Sequence, residues 1–261
     1  MRTGWIAVLL FLTNAAVADI RGEEIAYEDG ETRFEGYIAW DDALTGPRPG
    51  VLVVHEWWGH NDYVRERARM LAAMGYTALA VDMYGDGRTA GHPQDAGAFA
   101  GAVMSSTDHG RSRFLAARGV LEAHATVDAS DIAAIGYCFG GGVVLTMARA
   151  GVDLDGVASF HGSLGSPVTA EPGGIEASIL VLHGGADEFI PADAIAAFAG
   201  EMATAGADWR FVSYPGVQHS FTNPDADEAG ARFDLPVAYD ADADADSWAR
   251  LDRFLKEVFA D

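Results

Sequence analysis

The chain has 261 residues, of which 49% are hydrophobic and 21% charged, as expected for a folded protein with a substantial core. It carries 17 Lys and Arg against 39 Asp and Glu, and the resulting net charge of −22 disfavours nucleic acids and anionic lipid surfaces as partners. The single cysteine, Cys138, excludes an internal disulfide and a zinc site built from several cysteines.

The N-terminus, MRTGWIAVLLFLTNAAVADI, has the features of a secretory signal peptide in the expected order. Arg2 supplies positive charge, residues 5–12 form an apolar run too short to span a bilayer, and Ala16 and Ala18 match a signal-peptidase site. An ordinary buried helix is the alternative. We predict cleavage after Ala18, a single mature domain over residues 19–261, a periplasmic or secreted location, and no membrane association after cleavage.

Strand-like and helix-like segments alternate through the rest of the chain. The strand-like segments are mostly short apolar runs, many with β-branched residues, whereas the helix-like segments repeat apolar residues at helical spacing. The predicted strands are 33–40, 50–56, 76–85, 131–137, 156–162, 177–187 and 209–216. The predicted helices are 62–75, 93–106, 111–125, 139–151, 191–206 and 244–259. This alternation predicts an α/β fold with a mostly parallel central sheet flanked by helices.

Cys138 lies in the segment GYCFG, between a predicted strand and a predicted helix. Gly136 and Gly140 stand two residues on either side of it, as a tight turn around an exposed nucleophile requires. The dipole at the start of the following helix favours a thiolate. A lone cysteine is otherwise a small buried apolar residue, but the glycines and the strand–helix junction favour a nucleophile here.

Two residues in the right order complete a catalytic triad. Asp187 follows one predicted strand in HGGADEFIP, and His219 follows the next in YPGVQHSF. Both positions lie just after the carboxyl ends of strands, where sites form in open α/β sheets, and the order nucleophile, acid, base is the one that such turns use. The other histidines are interpreted as packed or loop residues, and no metal-ligand spacing occurs among them, so we predict no metal.

These motifs, together with HEWWG and DMYGDG, make the chain resemble the dienelactone hydrolase family from YIAW to the terminal helix. The resemblance implies an α/β-hydrolase fold and a Cys138–His219–Asp187 triad that cleaves an ester or lactone through an acyl-cysteine without a cofactor. It also implies that Glu56 contacts the resting thiol. A carboxylate beside the sulfur disfavours thiolate, and this would keep an exported cysteine from oxidation. A loop acid in a salt bridge is the alternative for Glu56.

The backbone N–H groups of Trp57 and Phe139 are the candidates for the oxyanion hole. Trp58, Tyr84 and Arg88 are predicted to border the substrate pocket, although the aromatic residues could instead cap the surface. The partner expected there is a small ester or lactone.

The sequence departs from the family where two arginines grip the substrate carboxylate, since Asp86 and Asn223 occupy these positions. We therefore expect a neutral substrate, unless Arg88 reaches the pocket. A non-catalytic binding protein that keeps the hydrolase fold is the alternative function, but every triad residue is present. The oligomeric state is left open, with a monomer plausible.

Overall fold

A computed structural model describes residues 18–260, and the predicted signal peptide lies outside the described residues except for Ala18. The described part forms eight strands and seven helices. The strands are β1 Ile20–Glu28, β2 Arg33–Asp41, β3 Arg48–Val54, β4 Thr77–Val81, β5 Val127–Tyr137, β6 Gly156–Phe160, β7 Ser178–Gly184 and β8 Trp209–Tyr214. The helices are α1 Asp62–Ala73, α2 Pro93–Met104, α3 Thr107–Glu122, α4 Phe139–Arg149, α5 Ala192–Ala205, α6 Ala226–Phe233 and α7 Ala241–Val258.

The eight strands form one sheet in the order β1-β2-β4-β3-β5-β6-β7-β8. The first strand pairs antiparallel with β2, and β2 pairs antiparallel with β4, whereas β4 through β8 are parallel along the sheet. The prediction of a single-domain α/β fold with a mostly parallel sheet is therefore confirmed.

Apolar side chains cover both faces of the sheet. Along β3, Val51 and Val53 join the cluster under α1 and α7, while Leu52 and Val54 join the cluster under α3, α4 and α5. This alternation follows from the two-residue period of a strand. A strand buried on both faces is apolar at every position, which explains why these strands appear as continuous apolar runs.

The structure differs from the sequence prediction at the sheet edge and at several helix starts. The edge strand β1 was not predicted, because its largely exposed residues leave no apolar pattern. The short helix α6 was missed for the same reason. Helix α3 begins at Thr107 because the Ser106 hydroxyl accepts the His109 N–H at 3.4 Å. No helix within residues 18–260 has both the length and the apolarity to cross a bilayer.

Candidate active site

The turn at Cys138 has the strained geometry that its glycines predict. Cys138 has φ 52° and ψ −113° between the end of β5 and the start of α4. A Cβ atom at Gly136 would lie 2.2 Å from the Gly140 carbonyl oxygen, and one at Gly140 would lie 2.3 Å from the Val54 carbonyl oxygen. Only glycine fits at either position, so the backbone can hold the half-buried Cys138 above the ends of the strands.

His219 and Asp187 form a buried pair beside this turn. Asp187 follows β7 and His219 follows β8, so both lie at the carboxyl edge of the sheet with Cys138. The His219 Nδ1 lies 2.7 Å from the Asp187 Oδ2, which leaves Nε2 for the sulfur. Burial alone would lower the pKa of His219, but the charge of Cys138 and hydrogen bonds with Asp187 and Cys138 outweigh it and raise that pKa to about 10.

Glu56 lies in the loop after β3, and its carboxylate is held by the loop that carries His219. The Ser220 hydroxyl donates to Oε1 at 3.0 Å and the Asn223 amide donates to Oε2 at 2.5 Å. Burial raises the pKa of Glu56 against the opposing effects of Asn223 and His219. The hydrogen bonds of Glu56 thus go to Ser220 and Asn223, and Asn223, in place of the family's arginine, binds the carboxylate as a neutral donor.

A buried cation supports the histidine loop, defined here as residues 219–223. Arg67, on α1, donates to the Thr222 carbonyl oxygen and, at 2.8 Å, to the Asp244 Oδ1 on α7. Its guanidinium also lies within 5.5 Å of the ring centroids of Tyr63, Tyr137 and Trp248. The loop is therefore tied to two helices by one charged group. Asp244 lies among the acidic residues in the first turn of α7, and it is the member of that group that pairs with the buried Arg67.

Two further histidines stabilise the walls of the site without reacting. His161 bonds the Thr222 hydroxyl through Nε2 at 2.8 Å, and its ring lies 5.0 Å from the His219 ring. Burial, and then the charge of His219, holds the pKa of His161 well below its usual value. His55 accepts the Met83 N–H at Nε2, so its Nδ1 carries the proton and donates to the Glu56 carbonyl oxygen at 2.6 Å.

The two candidate oxyanion donors lie on adjoining segments. The Gly140 N–H donates to the His55 carbonyl oxygen at 3.1 Å, which holds the start of α4 against the loop that carries Trp57. Phe139 is the first residue of α4, where an N–H has no intrahelical acceptor. Within residues 18–260 neither the Trp57 nor the Phe139 N–H donates a hydrogen bond.

A cavity of about 290 Å³ opens beside Cys138 and His219. Its other lining residues are largely apolar: Trp57, Trp58, Ala100, Phe139, Ser163, Phe189, Ile190, Ser220, Asn223, Ala226, Ala229, Leu235 and Val237. Trp58 is among the residues that line this cavity. Phe189 and the residues on and after α6 were missed, because an exposed loop and a polar helix carry no sequence signal for a pocket.

Tyr84 and Arg88 do not line this cavity, which corrects their predicted place in its wall. Tyr84 is buried behind it, where its hydroxyl donates to the Trp57 carbonyl oxygen at 3.0 Å. Arg88 is exposed, and its guanidinium lies 5.2 Å from the Phe99 ring centroid. The turn that leads to Arg88 is fixed by Asp82, whose carboxylate accepts four backbone N–H groups.

Comparisons with known proteins agree with this architecture. The sequence profile of the dienelactone hydrolase family matches residues 34–259. A dienelactone hydrolase-like promiscuous phosphotriesterase from metagenomic libraries superposes with a TM-score of 0.86 at 36% identity, covering 93% of this chain and 99% of its own. The solved structure named m3DLH gives the same TM-score at 38% identity, covering 92% and 99%.

Among curated relatives, the "Putative carboxymethylenebutenolidase" of Saccharolobus solfataricus is 27% identical over 90% of this chain and 98% of its own. Relatives with the same name in Yersinia pestis and Escherichia coli are 27% and 28% identical over 82% and 85% of this chain and 80% and 81% of their own. The family match spans most of the chain, and these names agree with it. The chain therefore belongs to the dienelactone hydrolase family and is a carboxylic ester or lactone hydrolase.

Proposed function

We propose that the chain is an exported enzyme that cleaves esters or lactones through an acyl-cysteine, with Cys138 as nucleophile, His219 as base and Asp187 as its orienting acid. The observation that carries the proposal is the buried His219–Asp187 hydrogen bond at 2.7 Å, beside a cysteine held at φ 52°. A structural cysteine has no need of this backbone conformation.

The reaction follows from these positions. As substrate binds, the Cys138 thiol gives its proton to His219, and the resulting thiolate attacks the carbonyl carbon. The carbonyl oxygen becomes an oxyanion that the Trp57 and Phe139 N–H groups stabilise. The protonated His219 then donates to the leaving oxygen, and the carbon–oxygen bond breaks to give a thioester. Neutral His219 next takes a proton from water, whose oxygen attacks the thioester. Collapse of this second intermediate releases the acid and leaves thiolate and imidazolium, and return of the proton from His219 to the sulfur restores the resting thiol.

Glu56 is proposed to guard the resting thiol. Its carboxylate is buried and hydrogen-bonded by Ser220 and Asn223, on the loop that carries His219, so it must leave these partners to contact the sulfur. There its charge disfavours thiolate until substrate displaces it. Export supports the need for such a guard, because a cysteine outside the cytoplasm meets oxidants.

The substrate is proposed to be neutral. Within residues 18–260 the cavity wall contains no arginine or lysine, and Asn223 is engaged with Glu56. A carboxylate in this pocket would therefore lose its hydration without a charge-assisted partner.

Mass spectrometry of protein quenched during turnover of a neutral ester tests the mechanism. We expect an acyl adduct on the peptide containing Cys138, its loss in Cys138→Ala, and a similar loss of turnover in His219→Ala. Turnover that largely survives in Cys138→Ala would contradict the proposal. Ligand binding without turnover in the wild type would instead favour the non-catalytic alternative.

Export is tested separately by N-terminal sequencing of protein recovered from its native host. We expect a mature chain that begins at Asp19 and is found in the periplasm or the medium. A cytoplasmic protein that still begins at Met1 would contradict the proposal.

A further inference from the structure

We infer that Phe189 forms the subsite for the alcohol part of the substrate, and that the preferred substrates are esters of apolar, especially aromatic, alcohols. This inference rests on the proposed function, because it uses the proton transfer from His219. Phe189 lines the cavity, and its ring centroid lies 5.0 Å from that of His219 at an interplanar angle of 71°.

Phe189 is unusually exposed for a large apolar side chain. At 46% it is the most exposed large hydrophobic residue among residues 18–260, ahead of Leu44 at 43% and Leu115 at 37%. A phenyl ring held in water at the mouth of a cavity gains free energy when an apolar group covers it. The other two exposed residues lie away from the cavity wall, so Phe189 alone combines exposure with access to the reacting groups.

The ring is held in position by the triad itself. The Phe189 N–H donates to the Asp187 Oδ1 at 2.9 Å, while the Oδ2 of the same carboxylate binds His219. One side chain thus sets the position of the imidazole and of the backbone that carries Phe189. The relative placement of proton donor and ring is fixed more firmly than in an ordinary exposed loop.

Protonation of the leaving oxygen by His219 indicates which part of the substrate contacts Phe189. His219 protonates the leaving oxygen, so that oxygen lies next to the imidazole, and its substituent extends along whatever borders the imidazole. The carbonyl oxygen is directed elsewhere, toward the Trp57 and Phe139 N–H groups. The Ser220 hydroxyl, next to His219 in the chain, donates to Glu56. Phe189 is the apolar side chain of the cavity wall whose ring lies against the imidazole, and an aromatic alcohol adds favourable ring–ring contact there.

With Phe189 at the exposed edge of the cavity, this assignment puts different limits on the two halves of the ester. One side of the Phe189 ring faces solvent, so the alcohol part can be long or bulky. The acyl part must fit the cavity of about 290 Å³, with Trp57, Trp58 and Val237 in its wall. Small and medium acyl groups combined with large apolar alcohols should therefore be the best substrates.

The test compares 2-phenylethyl propionate with ethyl propionate, two esters of one acid. We expect the ratio of their kcat/KM values to fall about tenfold in Phe189→Ala, because only the larger alcohol reaches the ring. Since both esters depend on the same His219, a general disturbance of the imidazole lowers both rates and leaves the ratio unchanged. Leu115→Ala is the matched control, and it should keep the wild-type ratio.

A binding measurement keeps the inference testable if turnover is slow. Saturation-transfer NMR with Cys138→Ala should detect 2-phenylethanol in the site, and the signal should disappear in Cys138→Ala/Phe189→Ala. An unchanged kcat/KM ratio, or an unchanged NMR signal, would overturn the subsite. Acylation of Cys138 by ethyl propionate, followed by mass spectrometry in the wild type and in Phe189→Ala, would show that the proposed function stands even if the subsite fails.

Discussion

Asp244→Asn tests the buried ion pair that supports the histidine loop. The side chains of Arg67 and Asp244 are 5% and 17% exposed, and their atoms lie 2.8 Å apart. Asparagine keeps the shape and one acceptor oxygen, but it removes the negative charge. The buried Arg67 guanidinium then loses its paired negative charge and keeps only neutral contacts from that side chain, the Thr222 carbonyl oxygen, the Met70 sulfur and the surrounding aromatic rings.

The magnitude follows from this burial. Removal of one partner of a fully buried pair costs about 3–5 kcal/mol, and the retained oxygen and residual exposure of Asp244 reduce the expected loss to about 2 kcal/mol. For a chain of this size, each kcal/mol lowers the Tm by about 2–4 °C, so the Tm should fall by about 4–8 °C.

The assay is thermal and guanidinium unfolding of the wild type, Asp244→Asn and Asp242→Asn. Asp242 is exposed in the first turn of the same helix, so its variant loses the same charge near the helix N-terminus without breaking an ion pair. We expect a loss of at most about 1 kcal/mol for this control. Equal losses in the two variants would show that Asp244 acts through the helix dipole alone and would refute the argument.

Three further outcomes are expected. The pKa of His219 is raised to about 10 by the charge of Cys138 first and then by Asp187, and Asp187→Asn removes the charge of Asp187. Because the leaving group needs the imidazolium, the alkaline fall of the pH–kcat/KM profile should move to lower pH, and an unmoved profile would contradict this. In Glu56→Gln, loss of the guarding charge should speed peroxide oxidation of Cys138, as followed by thiol titration, and an unchanged rate would argue against the guard. The kcat/KM for a neutral lactone should be at least about tenfold higher than that for its carboxylated analogue, in the wild type and equally in Arg88→Ala. A preference for the carboxylated lactone that disappears in Arg88→Ala would instead place that arginine in the site.

Several features of this protein are determined by residues close together in the chain. The continuous apolar runs predicted β3 through β7 because a strand buried on both faces needs no polar positions. The glycines around Cys138 predicted the strained turn. A Cβ atom at Gly136 would clash within the turn, with the Gly140 carbonyl oxygen, whereas one at Gly140 would clash with Val54 on another strand. Placement of Asp187 and His219 after successive strands predicted that the two would meet, since parallel strands end at one edge of the sheet.

The tertiary structure determined which polar side chains, distant in the sequence, contact one another. The carboxylate of Glu56 accepts a hydrogen bond from Asn223, which is 167 residues away in sequence. The Arg67–Asp244 pair joins residues 177 apart, so the acidic run alone could not reveal it. Arg88 follows Tyr84 closely in the sequence and was expected at the pocket. In the folded chain it comes after the turn around Asp82 and is exposed against Phe99. Hydrophobic periodicity and turn geometry depend on residues a few positions apart, so the sequence alone predicts them. The hydrogen-bond partner of a polar side chain depends on which donors and acceptors the folded chain brings together.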